Sequence, residues 1–175
     1  MANYAFMGKG IASMTKEGEA TARDVGNVSA LNIKVSENTI KQKNYRTAGG
    51  GTYAQVNQIE SVQISMTLCD LSPENLAMVL FGTATTDTEN STAVIEALTT
   101  GAQTFKMEFA GLNEAAGGSA VDVTAYRVKV GAAQDIGLIG DDFSTLQITG
   151  ELLLDTSITD SGKSQYFKIE MATQA

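Results

Sequence analysis

Eight consecutive residues, Ser61-Val62-Gln63-Ile64-Ser65-Met66-Thr67-Leu68, alternate polar and apolar without a break. A period of two puts Val62, Ile64, Met66 and Leu68 on one face of an extended chain, a pattern no helix reproduces. The segment is therefore a half-buried strand. A strand needs neighbours to pair its edges and a core to receive its apolar face, so the rest of the chain must supply both.

Further strands are found by the same test. Leu31, Ile33 and Val35 alternate with polar residues, as do Phe105, Met107 and Phe109. Leu146, Ile148, Leu152 and Leu154 keep one parity across Gly150, and Phe167, Ile169 and Met171 form a last short strand. Residues 6–15 and 92–98 complete the predicted set. In residues 121–130 the apolar parity changes between Ala125 and Tyr126, so this strand either carries a bulge or is buried on both faces. Threonine occurs 20 times, glycine 17 times and proline once, a balance that favours strands joined by turns over a helical bundle.

One helix is expected, over residues 73–81. Ser72 is placed as N-cap, Pro73 occupies the first helical position, where its missing N–H costs nothing, and Gly82 is placed as the C′ residue. Leu71 and Leu76 have the spacing of a hydrophobic staple. Leu76, Val79 and Leu80 share a face that should cover the open face or end of a sheet. The expected architecture is mainly β: a β-sandwich or barrel capped by that helix.

Between the strands ending near Val35 and beginning near Ser61 lies a long segment, residues 36–59. It carries Lys41, Lys43 and Arg46, then Gly49, Gly50 and Gly51, with almost no apolar side chains. Unstructured loops of more than about 12–15 residues are uncommon inside compact domains and are usually functional or mobile. The segment is read as a long extended loop that contacts another subunit or ring, with Tyr45 and Tyr53 anchoring it once something packs there. A disordered hairpin tip is the alternative.

At 175 residues the chain is expected to form a single domain, residues 1–175. No stretch approaches the roughly 20 apolar residues that a membrane-spanning helix needs. Residues 1–7 show no basic region followed by an apolar one, so no secretory signal is expected, and the chain is expected to fold in a cytoplasm. Cys69 is the single cysteine and histidine is absent, which removes internal disulfides, histidine general bases, Ser-His-Asp and Cys-His systems and imidazole zinc sites. The formal charge of −8 is unevenly spread: residues 1–57 sum to +3 and residues 58–175 to −11. As a whole such a chain repels nucleic acid, while its two portions could dock head to tail on copies of itself.

Motifs for small-molecule chemistry are weak. Gly49-Gly50-Gly51-Thr52 lacks the Gly-Lys-Ser/Thr that a phosphate-binding loop requires. Asp141-Asp142 and the acidic turn over residues 155–160 fit no oxygen-ligand loop and read as solvated turns. Asn27-Val28-Ser29 and Asn90-Ser91-Thr92 match the glycosylation pattern, which means nothing without export. Cys69 reads as a packing residue, having no histidine to activate it. No catalytic residue, cofactor or metal is expected, and nothing argues for an enzyme.

The block Ala48-Gly49-Gly50-Gly51-Thr52-Tyr53, the alternating residues 59–68, and Cys69-Asp70-Leu71-Ser72-Pro73-Glu74-Asn75-Leu76-Ala77 ending in Leu80-Phe81-Gly82-Thr83 resemble the major tail tube proteins of tailed bacteriophages. Gly26-Asn27-Val28 and Leu138-Ile139-Gly140-Asp141-Asp142-Phe143 are compatible with that family, in an order that matches over nearly the whole chain. The resemblance implies a tail-tube β-sandwich with one flanking helix, six copies per ring, and rings stacked into a hollow tube that conducts DNA. It further implies a virion protein assembled in the host cytoplasm. Its partners would be itself, the tape measure protein, the tail terminator and the baseplate or distal tail proteins, with DNA passing through unbound. The chain is expected to lack the C-terminal immunoglobulin-like domain of some relatives. Two other classes stay open, a β-sandwich module binding carbohydrate or a receptor and a small β-barrel enzyme. The first is opposed by 6% aromatic content and no tryptophan.

Overall fold

The computed structural model describes residues 5–172, so residues 1–4 of the N-terminal segment read above lie outside the described residues. The chain is mainly β and every strand pairing is antiparallel. The strands are β1 (Gly8–Lys16), β2 (Arg23–Asp24), β3 (Val28–Lys43), β4 (Thr52–Leu68), β5 (Thr83–Asp87), β6 (Thr92–Glu96), β7 (Thr104–Asn113), β8 (Ser119–Val130), β9 (Leu146–Leu152) and β10 (Phe167–Met171). Helix α1 (Pro73–Val79) follows β4, and β5 and β6 form a separate hairpin.

The main sheet runs in the order β2-β1-β7-β8-β9-β4-β3, with β10 added alongside β8. β8 shares one side between two strands: β10 covers Val121 to Ala125, and β9 takes over at Val128 to Val130. Ala12 and Met14 of β1 lie in the same buried cluster as Val62, Ile64, Met66 and Leu68 of β4. Strands from opposite ends of the path can share one core only if the sheet curls around it. The short connection from β2 to β3 closes the gap, for the Val25 N–H donates to Ala12 O at 3.1 Å and the Cys69 N–H to Asn27 O at 2.8 Å. Met78 and Val79 of α1 join the cluster, so the helix covers this end of the core.

Parity reading holds for Val62, Ile64, Met66 and Leu68, all buried, and for Leu146, Ile148 and Leu152, but Val35, Leu154, Ile169 and Met171 of the other alternating sets are exposed, and β9 ends before Leu154. The parity change in β8 is a bulge: Phe105 pairs with Val128 and Met107 with Ala125, leaving Tyr126 and Arg127 opposite Lys106 alone. That extra residue turns Val128 and Val130 inward on the opposite parity from Val121 and Ala125.

Several expectations need correction. The segment over residues 36–59 is not a structureless loop. β3 and β4 continue through it as a ribbon paired from Glu37↔Ile59 to Lys43↔Thr52, and only residues 44–51 form the connection. Pairing prevails because Thr39, Ile40, Thr52, Tyr53 and Val56 favour extended backbone whether or not a core receives them. The first strand begins at Gly8 rather than at residue 6, and β2 and β5, too short or too polar to show a period, were not expected. The helix stops at Val79. Phe81, not Gly82, takes the left-handed C′ position (φ 50°), while the Gly82 N–H donates to Ala77 O at 2.8 Å, as the C″ residue of a Schellman motif does. The helix face is also turned by about one residue: Asn75, Met78 and Val79 are buried, whereas Leu71, Leu76 and Leu80 are half-buried.

Candidate self-association surface

Beyond Ser36 and Ser61 the β3–β4 pair leaves the core and becomes a two-stranded arm in which nearly every residue is exposed. Seven β3 residues at about 3.3 Å each carry it roughly 23 Å from the last core contact. β9 pairs with β4 only from Gln63 to Leu68. β3 ends the strand path. Both long edges of the arm are thus open among the described residues. A two-stranded ribbon of this kind is marginal in water by itself.

Local sequence shapes the arm. Glu60 and Tyr53 are extra residues on β4, since Ser36↔Ser61 is followed by Glu37↔Ile59, and Gln42↔Ala54 by Lys43↔Thr52. Two bulges on one strand strengthen the twist of the ribbon. Ile40 stands directly opposite Val56, and both are exposed. At the tip, the Asn44 N–H donates to Gly51 O at 2.8 Å and the Arg46 N–H to Asn44 Oδ1 at 2.9 Å. Gly49, Gly50 and Gly51 all have positive φ, which is why this connection needs three glycines in a row.

The structure brings the expected assembly residues together. Lys41 and Lys43 lie on one face of β3, Tyr45, Arg46 and the glycines occupy the tip, and Tyr53 sits at its base. Tyr45 is 84% exposed and covers nothing in its own chain. Four ion pairs occur among the described residues, Lys106–Glu108, Arg127–Glu17, Lys163–Asp160 and Lys168–Glu170. None involves Lys41, Lys43 or Arg46. Of the residues assigned to helix packing, Val79 is fully buried and Leu76 and Leu80 lie at the edge of the cluster, whereas Leu71 is half-buried and is not part of it.

Sequence reading missed two features. Asn75 is wholly buried, and its side chain ties α1 to the β2–β3 connection. Its Nδ2 donates to Val25 O and Asp70 O, both at 2.9 Å, while its Oδ1 accepts from Arg23 Nη1 at 2.7 Å. A polar residue at i, with Met78 and Val79 at i+3 and i+4, was the available signal. The second is the connection from β8 to β9, where Leu138, Ile139 and Phe143 are 85%, 99% and 101% exposed. Three large apolar residues punctuated by Gly137 and Gly140 were its signal.

Other candidate motifs close on themselves. Ser157 donates to Asp155 Oδ1 through its hydroxyl at 2.6 Å and its backbone N–H at 3.0 Å, holding that exposed carboxyl below the usual range. Asp160 pairs with Lys163 at 2.6 Å. Cys69 is half-buried at the end of β4. No group of three His, Cys, Asp or Glu side chains is placed to hold a metal ion among the described residues. A groove of about 490 Å³ runs past Lys106, Tyr126, Asp160 and Lys168, with Tyr126 its one aromatic residue. Two of its lysines are already paired with Glu108 and Glu170.

The family described as "Protein of unknown function UCP028589" matches residues 4–93 and 88–170. No curated protein matches the chain.

Proposed function

We propose that this chain, which belongs to the UCP028589 family, is a structural protein that polymerises as rings stacked into the tail tube of a bacteriophage. The carrying observation is the β3–β4 arm, a ribbon with two open edges, exposed Ile40, Val56 and Tyr45, and unpaired cations. Open edges are an aggregation hazard unless a specific neighbour covers them, and ring closure or stacking supplies that neighbour.

The reading is also supported by the resemblance to the major tail tube proteins. Its glycine run is the tip of the arm, its alternating strand is the core half of β4, and its Leu-Ser-Pro-Glu-Asn-Leu-Ala segment is the start of α1. In this reading the curled sheet is a tail-tube β-sandwich, six copies form each ring, and the arm reaches an adjacent copy. Tape measure, tail terminator and baseplate or distal tail proteins are the expected further partners. A net charge of −8 suits a conduit through which DNA slides, because every phosphate neutralised by a cation adds salt-dependent grip.

Electron microscopy and sedimentation of the purified chain at rising concentration test the proposal. Six-fold rings or tubes are expected. A monomer under every salt and concentration condition, with none in virions, overturns it.

A further inference from the structure

We infer that two free copies of this chain join arm to arm, their β3 edges pairing antiparallel about a two-fold axis at Ile40 to make one four-stranded sheet. The inference goes beyond the tube reading and is independent of it, since it concerns the subunit before any ring forms.

Backbone direction sets which residues can pair. The Asn44 N–H points into the ribbon, donating to Gly51 O. Strand residues alternate, so Gln42, Ile40 and Asn38 also turn their N–H and C=O groups toward β4. Glu37, Thr39, Lys41 and Lys43 turn theirs outward, to the edge on which β3 has no neighbouring strand. Hydrogen bonds between two such edges therefore require these four residues to face their counterparts.

Side chains then choose the register. Centred on Thr39, the pairing matches Glu37 with Lys41 but sets Ile40 against Asn38 of the second copy. Centred on Lys41, it sets that lysine against itself. Centred on Ile40, it sets Glu37 of each copy against Lys43 of the other, with Thr39 and Lys41 paired between them. On the opposite face of the ribbon Ile40 then meets Ile40. Val56 is the direct cross-strand neighbour of Ile40, so four apolar side chains form one row across the sheet. Ile40 and Val56 are 55% and 56% exposed in a single copy, and Glu37, Lys41 and Lys43 take part in none of the ion pairs among the described residues. Edge lysines ordinarily repel a foreign strand. Here Glu37 makes one partner acceptable, a second copy in this register. About eight backbone hydrogen bonds result, with an ion pair at each end. So small an interface makes a weak, reversible dimer, which covers the arm in the free subunit and can release it to a growing assembly.

Cross-linking of the full chain in a Cys69→Ser background tests the pairing. Residues directly opposed at a non-hydrogen-bonded position have Cα atoms about 4.5 Å apart, a span that a disulfide bridges. Ile40→Cys should therefore oxidise to a covalent dimer in dilute, unassembled protein. Asn38→Cys and Gln42→Cys should each give little dimer alone and should cross-link to each other when mixed. By sedimentation equilibrium, Glu37→Lys or Lys43→Glu alone should weaken dimerisation by about tenfold. The two substitutions in one chain should restore it to within about threefold, because opposite charges again face each other. Circular dichroism should be unchanged throughout, and if a charge variant disturbs folding the cysteine pattern decides.

No cross-link from Ile40→Cys, equal cross-linking from all three cysteines, or a folded double charge variant without rescue overturns the inference. Specific Ile40→Cys cross-linking in a chain that never forms rings or tubes sustains this pairing and defeats the tube reading. Rings or tubes from wild type whose free subunits neither dimerise nor cross-link through Ile40→Cys do the reverse.

Discussion

Arg23 Nη1 donates to Asn75 Oδ1 at 2.7 Å, and through this bond the edge strand β2 is fastened to α1. Burial pulls the guanidinium pKa down, while Glu74 and Asp24 oppose the shift, so the half-buried cation depends on its partners. Asn75 donates one amide hydrogen to Val25 O, a buried bond, and the other to Asp70 O, a part-buried one. Asn75→Leu fits a similar volume but strands two carbonyls and one cation donor. It should cost about 2–4 kcal/mol, read as a lower denaturant midpoint with an unchanged slope.

Gly26 occupies the same corner. Its φ is +86°, and a Cβ added there would collide with the Asp70 carboxylate, which accepts from the Asn27 N–H at 2.7 Å. Gly26→Ala therefore meets two penalties, a left-handed backbone and a steric clash. A loss of about 1–3 kcal/mol is expected. Asp70→Ala removes the carboxylate that makes the worst of the clash, leaving a tight Cβ contact, and removes the hydrogen bond with it, so the double variant should be less destabilised than the sum of the two singles. Thermal melts of all four proteins measure this coupling.

The core was legible because alternation and burial coincide. Each of Val62, Ile64, Met66 and Leu68 faces the cluster it was expected to face, and the Ser72 cap is present, its Oγ accepting from the Asn75 N–H at 3.2 Å. The arm was not legible, because its strands are held by pairing with each other and not by a core, and Thr39, Gln42, Gln55 and Asn57 give no hydrophobic period. Asn75 escaped because burial of an amide is decided by the carbonyls around it, which come from residues 25 and 70. The exposed loop tip escaped for the converse reason: Leu138, Ile139 and Phe143 have the composition of core residues, and only tertiary placement leaves them outside.

Acid should loosen two turns before it unfolds the sheet. Asp87 is held below its ordinary value of 3.8 chiefly by the Asn90 side chain and also by the Asn90 and Glu89 backbone N–H groups. Asp155 is held below it by Ser157. A depressed pKa in the folded state gives stability that is present above the unfolded value and is lost as pH falls through the folded one. Chemical shifts of Asn90 and Ser157 should therefore stay constant from neutral pH down to about 4 and move only below it. Asp87→Asn and Asp155→Asn should each abolish the movement at its own turn. Movement beginning near pH 6 would assign it to another group.

The arm supplies the last prediction. Its residues from Glu37 to Lys43 pair with those from Thr52 to Ile59, so only alternate amides bond within the ribbon, and all lack a third strand and a core. They should exchange much faster in the monomer than those of Val62 to Leu68, which lie between β3 and β9 over a buried face for most of their length. In the assembled state the arm should become protected, because a neighbour then covers it. Charge reversal of Lys41, Lys43 and Arg46 together should remove that protection and the assembly while leaving exchange in β4 from Val62 onward unchanged. Exposed ion pairs contribute only about 0–1 kcal/mol each, but they act in several copies at once, so raised salt should also weaken wild-type assembly if these contacts dominate it. Arm amides equally protected in monomer and assembly would show that the ribbon is stable alone and that copies meet elsewhere.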